Sequence, residues 1–169
     1  MSYEDTAEKA PAISVREAAP ADAPIIAAFN AAIATETENK TLDPGVVQPG
    51  VIALLEDAAK GRYWVAESAG EVVGQLMVTY EWSDWRNGTI WWIQSVYVHP
   101  DWRRRGIFSE LYRHVESNAS ADPAVVGLRL YVEKHNTRAQ QTYQALGMVT
   151  PGYVVMESIT ATPAIDREN

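Results

Sequence analysis

The chain has 169 residues, 47% of them hydrophobic, and a formal net charge of −8 at neutral pH. This length is enough for one domain with a substantial core and too short for two domains of ordinary size. The acidic balance argues against a nucleic acid partner, because binding to a phosphate backbone depends on a broad basic surface.

Cysteine is absent from the sequence, which excludes disulfides, thiolate metal ligands and a covalent cysteine intermediate. The three histidines are scattered without the spacing of metal ligands, so we expect no metal site. No run approaches the roughly 20 apolar residues that span a membrane, and the acidic N-terminus lacks the pattern of a signal peptide. We therefore expect a cytoplasmic protein without a membrane partner, with residues 1–12 and 160–169 as flexible tails around one domain, residues 13–159.

The first half of the chain predicts a strand, two helices and a hairpin. ISVREA is strand-like, and Asp22 then precedes apolar residues at helical spacing, which predicts a helix capped by this carboxylate. Pro49 is expected to open a second helix, VIALLEDAAK. Two strand-like runs follow, RYWVAES and EVVGQLMVTYEW, and a short turn between them predicts a hairpin.

The second half predicts alternating strands and helices. TIWWIQSVYV has strand composition and ends before Pro100, and Ile107, Leu111 and Val115 then recur at helical spacing. Strand VVGLRLYVEK, helix NTRAQQTYQALG and a last strand, GYVVMESI, complete the chain. The order β-α-α-β-β-β-α-β-α-β predicts an α/β sandwich with a mixed sheet.

The segment RRRGIF lies at the junction between a predicted strand and a predicted helix. The first N–H groups of a helix have no partner within it and carry the positive end of its dipole, so they bind phosphate well. Gly106 lets the backbone approach a ligand closely, and three guanidinium groups suit pyrophosphate oxygens: Arg103, Arg104 and Arg105. A small anionic ligand is expected here, and a solvated surface run is the alternative.

Two segments carry a recognisable pattern. SVYVHPDWRRRGIF has Arg103 and Gly106 three residues apart after a Val-rich strand, and NTRAQQTYQALGM puts Asn136, Ala139 and Tyr143 on one helix face. Together they resemble the CoA signature and the Asn-x-x-Ala-x-x-x-Tyr-x-x-Leu-Gly helix of the Gcn-type N-acetyltransferases (GNAT). The resemblance covers residues 13–159 in element order and implies a GNAT-like sandwich with a mostly antiparallel sheet flanked by helices.

This resemblance implies acetyl-CoA as co-substrate and gives roles to particular residues. Tyr143 would protonate the leaving thiolate, and an N–H near Val96 would stabilise the oxyanion. Phe108 stands where the family has Gly or Ala, so its ring is expected to turn away from the phosphates. The cofactor-binding residues expected on this basis are Val96, Tyr97, Val98, Arg103, Arg104, Arg105, Gly106, Ile107, Phe108, Asn136 and Ala139. Taken by themselves, a tyrosine on a helix face and valines on a strand also fit an ordinary core.

The implied reaction is direct attack of an amine on the thioester, and it needs a base because an alkyl ammonium has a pKa of about 10. Substrate-side candidates are Glu36, Glu38 and Glu81, each of which also fits a surface carboxylate, and Gln94. A water chain held by Gln94 or Ser95 would serve as the base equally well. We expect a small amine acceptor, cationic when free. A non-catalytic acyl-CoA sensor and a peptide or protein N-acetyltransferase are the alternatives.

Four tryptophans cluster in the sequence around one predicted turn: Trp82, Trp85, Trp91 and Trp92. Aromatic residues at this density fit the wall of an acceptor site, a homodimer surface or the core equally well. The sequence therefore leaves these three interpretations open.

Overall fold

The computed structural model describes residues 12–158 and residue 160. This part of the chain contains five strands and four α-helices. They are β1 (Ile13–Glu17), α1 (Ala23–Glu38), α2 (Pro44–Leu55), β2 (Arg62–Ser68), β3 (Glu71–Ser83), β4 (Gly88–Val98), α3 (Ile107–Ala121), β5 (Val125–Leu130) and α4 (Thr137–Ala145). Within the described residues, none of these helices combines the length and the apolar character needed to cross a membrane.

All five strands form one sheet in the order β1-β2-β3-β4-β5. Neighbouring strands are antiparallel except β4 and β5, which are parallel. The connection between these two strands contains α3, since parallel neighbours need a crossover rather than a tight turn. The predicted α/β sandwich with a mixed, mostly antiparallel sheet is confirmed.

Apolar side chains cover both faces of the sheet, because successive residues of a strand point to opposite sides. Trp64 of β2 packs with Leu111 and Val115 of α3 on one face. Its neighbour Val65 packs with Ile26 of α1 on the other face, where α2 also lies. The helices thus pack on both faces of the sheet, and the end of β4 extends between them.

The first helix begins where the sequence predicts, but the side chain of the expected cap residue, Asp22, binds other partners than the helix. Asp22 lies at the N-cap position of α1, and its side chain does not cap the helix. Its carboxylate instead accepts hydrogen bonds from Arg16 at 2.7 and 3.0 Å and from the Ala19 N–H at 2.7 Å. A guanidinium fork is a stronger partner for a carboxylate than a neutral N–H group.

The second helix begins five residues before Pro49, so the expectation that this proline opens it is wrong. Asp43 accepts a hydrogen bond from the Gly45 N–H at 2.8 Å, and Pro44 occupies the first helical position. This pair is a complete start signal, since the side chain satisfies an N–H that the helix leaves unpaired. Pro49 lies inside the helix.

The last predicted strand, GYVVMESI, is not formed in the residues that the structure describes. Residues 153–158 have no regular structure, and the side chains of Tyr153, Val154, Val155 and Met156 are exposed. Ile159 lies outside the described residues. The β-branched composition predicts a strand, but a strand also needs a neighbour to pair with and apolar surface to cover.

The end of β4 separates from β5, and this opening positions the candidate site. Pairing between the two strands ends at Ile93 and Leu130, whereas β4 continues to Val98. Near Ser95, which has a positive φ of 48°, the register between β3 and β4 shifts at a bulge. A bulge bends its strand and increases the local twist. The carboxyl end of β4 is therefore free to border a ligand, as in other open α/β sheets.

Candidate active site

A cavity of about 390 Å³ lies between the end of β4, the turn before α3, and α4. Its lining includes all of the predicted cofactor-binding residues except Arg105, and it also includes Tyr143. A larger cavity of about 490 Å³, between α3, β5 and the segment after α4, contains none of the predicted site residues. Two motifs separated by a strand in the sequence thus meet at one cavity, although their roles stay predictions.

The start of α3 faces this cavity with its backbone N–H groups available. Gly106 is the N-cap residue with φ of 82°, a left-handed conformation that a glycine adopts without strain, and no side chain caps the helix within the described residues. Among the described residues, apart from Gly106 itself and its two chain neighbours, no atom lies within 4 Å of the position that a Cβ would occupy at Gly106. An uncapped helix start with open space beside it fits a phosphate group.

The three arginines before this glycine have different surroundings. Arg103 donates from Nε to the Val98 carbonyl at 2.9 Å and from Nη2 to Glu36 at 2.6 Å. Arg105 stacks over the Trp102 ring, with its guanidinium carbon 4.9 Å from the ring centre. Arg104 lines the cavity at a positive φ of 64°. Arg104 is therefore the arginine best placed to meet an anion in the cavity, and Arg103 mainly holds the turn.

Tyr143 lies opposite the start of α3, on the helix that Asn136 begins. The Asn136 side chain accepts a hydrogen bond from the Ala139 N–H at 3.0 Å, so it caps α4. Burial raises the pKa of the Tyr143 phenol. The ring of Phe108 packs edge-on against Tyr143 at 5.6 Å and lies 6.0 Å from Tyr112. A protonated phenol thus lines the cavity about two helical turns from the cap.

The sequence profile described as the acetyltransferase (GNAT) family matches residues 31–148. The chain belongs to this family. Thialysine N-epsilon-acetyltransferase of Bos taurus is 34% identical to this GNAT chain over 76 residues, which are 45% of the chain and 44% of that curated relative. The chain thus matches less than half the length of that protein.

Solved structures similar to this GNAT chain include a possible acetyltransferase from Clostridium difficile 630, which is 47% identical with a TM-score of 0.83. That match covers 89% of this chain and 99% of the other. A ribosomal-protein-alanine N-acetyltransferase from Brucella melitensis is 19% identical with a TM-score of 0.68, covering 87% of this chain and all of that chain (100%). An aminoglycoside acetyltransferase from an uncultured soil sample is 17% identical with a TM-score of 0.70, covering 89% and 97%. These last two share the fold alone, and their differing names show that the fold does not select the acceptor.

The predicted substrate-side residues of the GNAT chain do not line the cavity. Glu38 pairs with Lys40 at 2.6 Å, and Gln94 donates to the Thr79 hydroxyl at 2.6 Å. Glu81 accepts from Arg129 at 3.0 and 3.1 Å and from the indole N–H of Trp92. Each of these side chains already has a protein partner, so none is identified as the base.

Glu36 is the exception, because it contacts two residues that do line the cavity. Its carboxylate accepts from the Tyr97 hydroxyl at 2.8 Å and from Arg103 at 2.6 Å. Partial burial would raise the pKa of Glu36, but the hydrogen bonds from Arg103 and Tyr97 outweigh it and hold the pKa below its usual value. A carboxylate with a lowered pKa is a weak base, so this contact favours a structural link over proton transfer.

The tryptophans divide between the interpretations that the sequence leaves open. Trp91 is buried in the core beside Trp64, with ring centres 5.9 Å apart. Trp82 and Trp85 are 62% and 85% exposed. Trp92 is partly buried and stacks on Tyr131 at 4.4 Å. Only Trp91 is thus a core residue, and an acceptor wall or a homodimer surface stays a prediction for the exposed pair.

A buried polar group that none of the sequence motifs marks lies beside the bulge of β4. Gln75 of β3 is fully buried, and its amide contacts both Asn30 of α1 and the carbonyl of Ser95. The signal available in the sequence was a polar residue inside the otherwise apolar run VVGQLMV, since a buried polar side chain needs partners.

Proposed function

We propose that the protein is an acetyl-CoA-dependent N-acetyltransferase that moves an acetyl group to the amine of a small molecule by direct attack. The observation that carries this proposal is the cavity in which an uncapped helix start, at Gly106, faces the partly buried phenol of Tyr143. An anion site for CoA and a proton donor for the leaving thiolate are two of the groups that such a transfer uses on the enzyme side. Family membership supports the same reaction class.

The residues at the start of α3 fit the pyrophosphate of CoA. The N–H groups that follow Gly106 would bind phosphate oxygens, and Arg104 would add a cationic partner. Arg105 would act mainly through the local positive charge, because its guanidinium stacks on Trp102. Backbone groups of residues 96–98, which line the same cavity, would pair with the pantetheine arm. When bound, acetyl-CoA supplies the activated thioester.

Tyr143 would hold the proton that the departing thiolate needs. A tyrosine phenol is protonated at neutral pH, and burial raises the pKa of Tyr143 further, so the proton is present there. Proton transfer by a positioned side chain typically accelerates a reaction by about 10²- to 10⁴-fold. Phe108 packs against the Tyr143 ring and limits its movement. The base that deprotonates the amine is not assigned to any residue, and a water chain serves this role equally well.

The acceptor that we propose is a small amine that is cationic when free. The bovine relative carries the name of an amine acetyltransferase, which supports this class. The acidic side chains near the end of α1 add less support than their number suggests, because Glu36 and Glu38 are already paired with Arg103 and Lys40. The overall charge of −8 still favours a cation over an acidic metabolite.

Calorimetry with acetyl-CoA, followed by a turnover screen over an amine panel read by thiol release, tests the proposal. We expect binding in the wild type, weaker binding in Arg104→Ala, and unchanged binding in Arg113→Ala, a control arginine on α3 that pairs with Glu110. A cationic acceptor whose KM rises with salt is expected among the active amines. No binding at millimolar acetyl-CoA would refute the proposal, and binding without turnover would identify a sensor instead.

A further inference from the structure

Gln75 is a fully buried polar residue in the centre of β3, with a relative exposure of 0%. Its Nε2 donates to Asn30 Oδ1 at 2.8 Å and to the Ser95 carbonyl at 3.1 Å. Asn30 in turn donates to the Tyr63 hydroxyl at 3.0 Å. One amide thus connects α1 with the bulged residue of β4.

The contact with Ser95 fixes the orientation of a particular peptide group. All peptide bonds of the described residues are trans, so the carbonyl of Ser95 and the N–H of Val96 point in opposite directions. Because the carbonyl points to Gln75 and α1, the Val96 N–H points away from them. Val96 lines the cavity that also contains Tyr143. Gln75 is therefore positioned to aim this N–H at the cavity.

The conformation at the bulge needs such an anchor. Ser95 has a positive φ of 48°, which is uncommon for a residue with a side chain and persists only when its surroundings enforce it. The amide of Gln75 supplies that constraint from a rigid strand. Since β4 no longer pairs with β5 beyond Ile93, the sheet gives no support on the other side.

Gln75 does not serve stability alone. Its Oε1 is the one buried side-chain acceptor in the described part of the chain without a hydrogen-bond partner. An unpaired buried polar atom destabilises the fold, whereas an apolar residue of similar volume would avoid that cost. A side chain that is satisfied only at its nitrogen, and bonds there to a strained peptide, points to a positional role.

We propose that Gln75 is a positioning residue for the transferase reaction: by holding the Ser95 carbonyl, it orients the Val96 N–H toward the acetyl carbonyl oxygen. This N–H then stabilises the charge that develops on that oxygen. The inference rests on the proposed function, and it adds that the reaction centre depends on α1 through Asn30. Neither Gln75 nor Asn30 needs to contact either substrate.

The variant Gln75→Met tests this role, because methionine has a similar length and no hydrogen-bond donor. Complete removal of one donor to a developing oxyanion lowers kcat by about 10²- to 10³-fold, so misorientation should lower kcat by about tenfold or more. We expect the dissociation constant of acetyl-CoA to change less than about twofold. Ser68→Ala is the control and should keep kcat; it removes a buried hydroxyl, whose one hydrogen-bond partner among the described residues is the Ala12 carbonyl.

A spectroscopic measurement separates positioning from general damage. The infrared stretch of the bound [1-¹³C]acetyl-CoA carbonyl should shift to lower frequency in the wild type, since a hydrogen bond polarises the carbonyl, and Gln75→Met should lose part of this shift. Asn30→Ala should show a smaller loss of the same kind, and it serves as the decisive variant if Gln75→Met does not fold.

The outcomes distinguish this inference from the proposed function. A wild-type protein that does not bind acetyl-CoA would overturn both. A wild type that binds and turns over, with unchanged kcat and carbonyl frequency in the folded variants, would overturn only the role of Gln75. A parallel loss of binding and kcat without a change in carbonyl frequency would show a structural role and overturn it as well.

Discussion

Replacing Glu36 with glutamine is expected to weaken the link between α1 and the side of the cavity that Tyr97 and Arg103 line. The carboxylate accepts hydrogen bonds from Tyr97 and Arg103, and glutamine keeps the size of the side chain while removing its charge. The side chains of Arg103 and Glu36 are 43% and 38% exposed, so solvent screens the pair strongly. We therefore expect a loss of at most about 1 kcal/mol, which corresponds to a fall in Tm of about 2–4 °C.

The effect of Glu36→Gln should depend on pH. The pKa of Glu36 in the folded protein is lower than its ordinary value of 4.5. Its contribution to stability is therefore complete above pH 4.5 and is lost as the pH falls through the lower folded pKa. Below that pH the wild type carries a neutral carboxyl and resembles the variant. The difference in Tm should be present at pH 7 and shrink as the pH falls below 4.5 toward the lowered pKa of the folded protein.

Thermal unfolding followed by circular dichroism at low ionic strength measures this difference. Glu38→Gln is the matched control, since Glu38 lies on the same helix and pairs only with the nearby Lys40. We expect the control to leave Tm nearly unchanged over the same pH range. A Tm difference for Glu36→Gln that does not shrink below pH 4.5 would refute the electrostatic account and indicate a packing effect.

Three further predictions concern the cavity and the core. Tyr143→Phe should lower kcat at least about tenfold with little change in acetyl-CoA affinity, because only the hydroxyl is lost; an unchanged kcat with rate-limiting chemistry would make Tyr143 a packing residue. Arg104→Ala should raise the dissociation constant of acetyl-CoA and reduce its salt dependence in calorimetry, whereas an equal salt dependence in both proteins would contradict a phosphate contact. Leu111→Ala should lower the free energy of unfolding by about 2–5 kcal/mol in urea titrations, since Leu111 is fully buried; a loss below about 1 kcal/mol would contradict its place in the core.

Elements with strong local signals could be predicted from the sequence. The strand before Pro100 and the helix after Gly106 are correct because their composition, periodicity and boundary residues agree. The prediction that α2 begins at Pro49 is wrong. Proline is common as the first residue of a helix, but Asp43 and Pro44, about one turn earlier, form the stronger start signal. The strand expected over residues 152–159 depends on a pairing partner, which local composition does not specify.

The candidate site likewise contains residues that local motifs predict and contacts that they do not predict. Short sequence motifs identify the residues around Gly106 and Tyr143, and the structure brings these residues to one cavity. The contacts that connect α1 to this cavity join residues far apart in the chain: 67 residues separate Glu36 from Arg103, and 45 separate Asn30 from Gln75. Such pairs are set by how the helix packs on the sheet, so no local pattern predicts them.

Phe108 shows how a departure from the family motif fits the proposed chemistry. A bulky ring at this position takes space beside the start of α3 that glycine or alanine would leave to a phosphate. Here the ring lies against Tyr143 and Tyr112, on the side of the helix that faces α4. Contact with an apolar ring removes water from the phenol of Tyr143, and burial is the cause of its raised pKa. Phe108 and the proposed acid, Tyr143, thus share one wall of the same cavity, and their contact contributes to the burial that raises the pKa of the phenol.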